Sequence, residues 1–173
     1  MFEPKLLRKI CLENWPMNGE TSSYLEVHGD AFSKCLKSES NRISFWIINS
    51  EIEAIDAVIA IYLSRDEKVC DITEVILIPE EQISHDVLPL EATEGTSRYQ
   101  AFNGNHRDIT NICYKTLGVL AKVITELLHD SSNYLQVTKD EVLDRITLLV
   151  KDHVIDKDTI KRKIVDQLRD RGI

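Results

Sequence analysis

The chain predicts an α+β fold: a small antiparallel sheet in its N-terminal half, packed with a C-terminal block of about three helices. Two observations carry that expectation. Runs rich in β-branched and aromatic residues lie before residue 80, whereas from residue 108 onward the apolar residues recur at helical spacing. Strand-like and helix-like segments are also segregated rather than alternating, which argues against a doubly wound sheet. At 173 residues, 43% apolar and 29% charged, the chain fits one domain over 1–173. That domain divides into a mixed lobe, 1–104, and a helical lobe, 105–173.

Residues 4–15, PKLLRKICLENW, place Leu6, Leu7, Ile10, Cys11 and Trp15 along one helical stripe, with Pro4 in the first turn and Pro16 as the stop. YLEVH (24–28) reads as a short strand, followed after Gly29 by a short helix over 30–37. RISFWIIN (42–49) reads as a buried strand. The next segment is ambiguous. Ser50 and Glu53 stand at capping-box spacing, which favours a helix. Ile55, Ala57, Ile59, Ile61 and Leu63 alternate, which favours a strand, and a hairpin of 56–63 with 72–78 is the expectation. Pro79 ends the second of those strands.

Residues 80–105 lack a sustained period and read as a long connection with one short strand at 97–102. Beyond it, Ile109, Ile112, Cys113, Thr116, Leu120, Val123, Ile124, Leu127 and Leu128 form a helical stripe of about five turns. LLHDSSNYL (127–135) reads as a polar linker between helices. Thr138 and Glu141 form a second capping box, with Val142, Ile146, Leu149 and Val150 behind it. A last helix over 158–171, capped by Asp156 or Asp158, carries Ile160, Ile164, Val165 and Leu168 on one face and ends at Gly172.

His106-Arg107-Asp108 matches the opening of a protein-kinase catalytic loop, but the position that should hold an asparagine is Cys113, and no glycine-rich phosphate loop exists. The same letters suit a helix start. Asn103-Gly104 makes a turn and Asp108 caps a helix beginning at Ile109. A binding or catalytic role for His106, Arg107 and Asp108, with carboxylates from loop 80–97, is the alternative, because a long loop ending at a helix start is a natural anion site.

The four cysteines, Cys11, Cys35, Cys70 and Cys113, include no Cys-x-x-Cys pair, and no two histidines stand three or four residues apart. Neither spacing builds a zinc site, so no metal or cofactor is expected. The start of the chain lacks the apolar block of a signal peptide, so mostly buried free thiols and a cytoplasmic setting are expected. Cys113 falls within the apolar stripe and Trp46 within a buried strand, so both read as core.

The formal charge is −8, and residues 64–97 carry −7 of it. Asp66, Glu67, Asp71, Glu74, Glu80, Glu81, Asp86, Glu91 and Glu94 stand there against Arg65 and Lys68. Such a chain does not attract a phosphate backbone or an anionic membrane, so neither nucleic acid nor membrane is an expected partner. The acidic segment points instead to a basic protein partner. The candidate partner-binding residues are Asp66, Glu67, Asp71, Glu74, Glu80, Glu81 and Asp86. The functional expectation is a non-enzymatic cytoplasmic binding protein of inhibitor, immunity or antitoxin type. The alternatives are a small enzyme around His106, Arg107 and Asp108, or a scaffold that dimerises through its C-terminal helices.

Overall fold

The computed structural model describes residues 3–16, 27–65 and 67–172. In chain order the main elements are β1 (Lys5–Ile10), β2 (Ile43–Ile48), α1 (Glu51–Ser64), β3 (Ile72–Pro79), β4 (Leu90–Ala92), β5 (His106–Ile109), α2 (Tyr114–Leu127), β6 (Tyr134–Thr138), α3 (Lys139–Lys151) and α4 (Arg162–Leu168). The six strands form one sheet in the order β4-β5-β2-β1-β3-β6, and every neighbouring pair is antiparallel. The class is α+β. Among the described residues no helix is long and apolar enough to cross a membrane.

Helices cover both faces of the sheet. On one face α1, α3 and α4 pack over Leu7, Trp46, Ile48, Val75, Leu77 and Val137. On the other, α2 and a wide helical turn at Ala31–Cys35 pack over Leu6, Phe45, Ile76, Ile78 and Ile109. This double cover explains the largest departures from the sequence reading. Residues 4–15 are not a helix but β1 and a short turn at Leu12–Asn14. Leu6 and Leu7 point to opposite faces and both are fully buried, so adjacent apolar residues suit a strand here.

The hairpin at 56–63 is also overturned. The segment is α1, with Ser50 Oγ accepting from the Glu53 N–H and the Glu53 carboxylate accepting from the Asn49 N–H. Every residue from Asp56 to Leu63 is buried, because α1 lies between the sheet and α3. A helix buried all round has no polar face, so its alternation was not a strand signal.

Four further expectations change. The short strand in the long connection is β4, at 90–92, and 97–102 instead runs into a 3₁₀ turn at Gln100–Asn105. Asp108 does not cap a helix: it belongs to β5, and α2 starts six residues later at Tyr114. Cys113, expected in the core, is exposed at the N-cap of α2, where its N–H donates to Thr116 Oγ1 at 2.7 Å. The linker at 127–135 runs into β6, so the C-terminal part of the chain contributes two strands, β5 and β6, to the sheet besides its helices. The strand expected at 24–28 lies largely outside the described residues. The Thr138–Glu141 capping box is present. Asp156 caps only a 3₁₀ turn at Lys157–Thr159, and α4 follows Lys161. Ile160, Ile164 and Leu168 face the core, so the apolar stripe of that last segment is used inside the molecule.

The helical layer on the first face is tied by a buried charge. Asp56 on α1 is 5% exposed and accepts two hydrogen bonds from the Arg145 guanidinium of α3, both at 2.9 Å. Removing one member of a buried pair costs about 3–5 kcal/mol. Arg145 keeps 27% of its side chain exposed and can turn to water, so Asp56→Ala should cost about 3 kcal/mol, the lower end of that range. Urea unfolding of the two proteins checks this, and a loss below about 1 kcal/mol would show the pair to be incidental.

A candidate functional site where the central strands part

The site begins with a break in the sheet. β1 and β2 pair only through Lys5↔Ile48, Leu6↔Ile47 and Leu7↔Trp46. Both strands continue past that point, β1 against β3 as far as Ile10↔Glu74 and β2 against β5 as far as Ile43↔Ile109. Between them opens a cleft of about 390 Å³, lined in part by Arg8, Lys9, Lys34, Arg65, Trp46 and His106.

Arg8 occupies the fork. Its Nε donates to the Cys35 carbonyl and its Nη1 to the Ser44 carbonyl, both at 2.5 Å, and a longer contact at 3.4 Å reaches the Lys37 carbonyl. The guanidinium also lies 5.5 Å from the centroid of the Phe45 ring. Ser44 would face Lys9 if the ladder continued, so a side-chain donor takes the place of main-chain pairing. No carboxylate among the described residues pairs with Arg8. Burial, and then the nearby charge of Arg65, pull its pKa down to about 10; Asp108 offsets this only in part. Lys9 crosses to the other face, 4.8 Å from the Tyr62 ring centroid. Lys34 is paired with Asp30 at the exposed mouth.

The second half of the site is built on β5. His106 and Asp108 are two residues apart and share a face, with Ser44 and Trp46 opposite them on β2. Ser44 Oγ donates to Asp108 Oδ1 at 2.9 Å, and Thr93 Oγ1 donates to Asp108 Oδ2 at 3.2 Å. A carboxylate only accepts, so it takes the Thr93 proton; Thr93 Oγ1 is then free to accept from the His106 Nδ1–H at 2.8 Å. His106 Nε2 is left as the acceptor, without a protein partner among the described residues. The ring edge packs on Trp46 with centroids 5.0 Å apart. Gly95 lets the loop carrying Thr93 lie this close: a Cβ there would stand 2.8 Å from the Trp46 ring and 2.9 Å from Asn103 Oδ1.

The structure thus joins His106 and Asp108 through Thr93 of the long connection, and sends Arg107 elsewhere. Arg107 donates to the carbonyls of Gly104 and His106. The acidic residues are dispersed. Asp66 lies outside the described residues. Glu67 is exposed, and exposed Asp71 is 3.7 Å from Lys139. Glu74 accepts from the Leu12 N–H and from Gln136. Glu80 and Glu81 follow β3 and line an open concavity with Glu3 and His85, while Asp86 is exposed in the next loop. β3 carries Glu74 near its start and leads to Glu80 just past its end, six residues and roughly 20 Å away.

Sequence reasoning missed Arg8, Lys9, Lys34, Arg65 and Thr93. The one local signal was Arg8 itself, a cation between buried Leu7 and Ile10 once that segment is read as a strand. Among the described residues no cluster of three or more His, Cys, Asp or Glu is placed to hold a metal. Compared with protein-family models, curated proteins and solved structures, the chain matches none.

Burial lowers the His106 pKa and Arg107 lowers it further, against the opposing pull of Asp108. A histidine whose folded pKa lies below its unfolded value of about 6.5 favours folding above that pH, and the contribution is lost as pH falls toward the folded pKa. His106→Phe keeps the ring contact with Trp46 and removes the titration. Urea midpoints measured from pH 7.5 down to 5 should therefore fall less in the variant than in the wild type, and parallel curves would refute the assignment.

Proposed function

We propose that this protein binds a small anionic ligand, of the phosphate or carboxylate class, in the cleft between β1 and β2. The observation that carries the reading is Arg8, a cation built into the sheet with carbonyl partners and no carboxylate partner among the described residues. A guanidinium has five donors in a planar fork and suits oxyanions. Arg65 and Lys9 line the same cleft, and an anion entering it would relieve the repulsion between the Arg8 and Arg65 guanidinium groups. The cleft volume of about 390 Å³ falls within the roughly 300–1,000 Å³ of small-molecule sites. Against the expectation of mostly buried thiols, only Cys35 of the four free cysteines is buried; their being free is what supports a reducing, cytoplasmic setting.

Titration with inorganic pyrophosphate by calorimetry tests this reading. Binding should appear at low salt and weaken as salt rises. Arg65 is exposed at the C-terminal end of α1, so Arg65→Gln should largely keep stability and weaken binding about five- to tenfold. An absence of binding at millimolar pyrophosphate, or equal binding by the variant, would overturn it.

A second reading keeps the basic protein partner. The convergence of Glu3, Glu80 and Glu81 on one concavity beside His85 favours it, with an inhibitor or immunity-type role as its fullest form. Its test is capture of a basic protein at low and high salt. Glu80→Gln with Glu81→Gln should abolish capture, whereas Glu67→Gln with Asp71→Asn should only slow it. Equal capture by the first pair and wild type would dismiss this reading.

A further inference from the structure

Two of the four cysteines meet at the wall of the cleft. Cys11 directly follows β1, and Cys35 is the last residue of the helical turn at Ala31–Cys35. The Cys11 N–H donates to Cys35 Sγ at 3.2 Å. One N–Cα bond separates that nitrogen from the Cys11 Cα, which therefore lies within about 4.7 Å of the Cys35 sulfur. The bond from Arg8 Nε to the Cys35 carbonyl fixes the same residue on β1. Two contacts thus hold a buried sulfur against the backbone of a second cysteine.

That arrangement suits a disulfide. A bridge needs its two Cα atoms roughly 4.4–6.8 Å apart. With the Cys35 sulfur this close to the Cys11 Cα, what remains is a rotation of the Cys11 side chain away from Glu13, whose carboxylate accepts from Cys11 Sγ at 3.3 Å. The two thiols differ in access: Cys35 is 3% exposed, whereas Cys11 is only half-buried. A dissolved oxidant reaches Cys11 first, and Cys35 stands behind it as the resolving thiol. Burial, and then the Glu13 carboxylate, raise the Cys11 pKa, so the pair rests as thiols rather than as a ready thiolate.

We propose that Cys11 and Cys35 form a reversible disulfide, a modification site in the cleft wall that is oxidised by a small disulfide of the glutathione type. The Cys11 thiol loses its proton to water, and its sulfur attacks one sulfur of oxidised glutathione. The S–S bond of that molecule breaks, one glutathione leaves as a thiolate, and a mixed disulfide remains on Cys11. Cys35, deprotonated in turn, attacks the Cys11 sulfur, forms the internal bridge and expels the second glutathione thiolate. The two released thiolates take up the two protons from water. One oxidised glutathione is thereby reduced to two thiols, while two protein thiols are oxidised to one disulfide. The bridge ties the end of β1 to the turn that supplies an acceptor to Arg8, beside the gap that Arg8 holds open.

The experiment uses the full chain carrying Cys70→Ser and Cys113→Ser, which removes the two exposed thiols and leaves the pair. The chain is brought to equilibrium with mixtures of oxidised and reduced glutathione, quenched with acid and read by mass spectrometry. The oxidised product should be about 2 Da lighter than the reduced chain and free of glutathione, with Cys11 joined to Cys35 in the peptide map. The equilibrium constant for bridging should be at least about tenfold larger in native buffer than in concentrated urea, because the fold already brings the two residues together. Adding Cys35→Ser should stop the reaction at a single glutathione adduct on Cys11, which dithiothreitol releases. If that variant does not fold, the comparison of native buffer with urea decides alone. A persistent adduct on Cys11 without a bridge, unreacted thiols at every glutathione ratio, or equal bridging in native and unfolded chains overturns the inference.

Discussion

The parting of β1 from β2 depends on one charged side chain. An antiparallel ladder left open exposes main-chain carbonyls that must find donors. Arg8 supplies them from within the sheet, at the Ser44 and Cys35 carbonyls, and so holds open a gap that an aliphatic residue would let close. The guanidinium satisfies carbonyls but brings a charge, and burying a charge without a counter-ion is costly. Here the cost is visible as a pKa pulled down to about 10 by burial and by Arg65. The shape of the cleft and its electrostatic character therefore have a single origin. The turn at Ala31–Cys35 belongs to the same constraint, since its last residue gives Arg8 one of its acceptors.

The second constraint is that both faces of the sheet are covered, and it decides which parts of the fold were legible. β2 and β3 were legible because a strand buried on both sides is a continuous apolar, β-branched run. The Thr138–Glu141 box was legible because a cap is chemistry within four residues. β1 was not, because its Leu6-Leu7 pair is compatible with a helical stripe and only the cover on the far face makes it a strand. α1 failed for the converse reason. It is enclosed by the sheet and by α3, and burial on all sides erases the polar face by which a helix is recognised. Its Ser50 cap was the truer signal, since it reports on the local backbone rather than on the surroundings.

The site was legible only as letters. His106 and Asp108 stood out, and the long connection was suspected of function, but His106-Arg107-Asp108 were assigned to a helix start. A strand with a histidine, an arginine and an aspartate is unfavourable by local propensity. It exists because Thr93, just past β4, and Ser44 of β2 satisfy Asp108, one 15 residues away and the other 64. Arg8, Lys9, Lys34 and Arg65 come from three separate segments, and a net charge of −8 hides any local excess of cations.

That contrast between global and local charge bears on selectivity. At physiological ionic strength fields are screened over roughly 8 Å, so an acidic molecule repels anions only weakly at long range and its cleft attracts them only once they are near. A site of this kind gains little from steering and must rely on contacts inside the cleft. A bound group that also covers the apolar surface of Leu7 and Trp46 would gain contacts that screening does not reduce. The acidic groups flanking β3 sharpen this choice, because their repulsion acts on every anion alike while the contacts beside Trp46 act only on those with the right body.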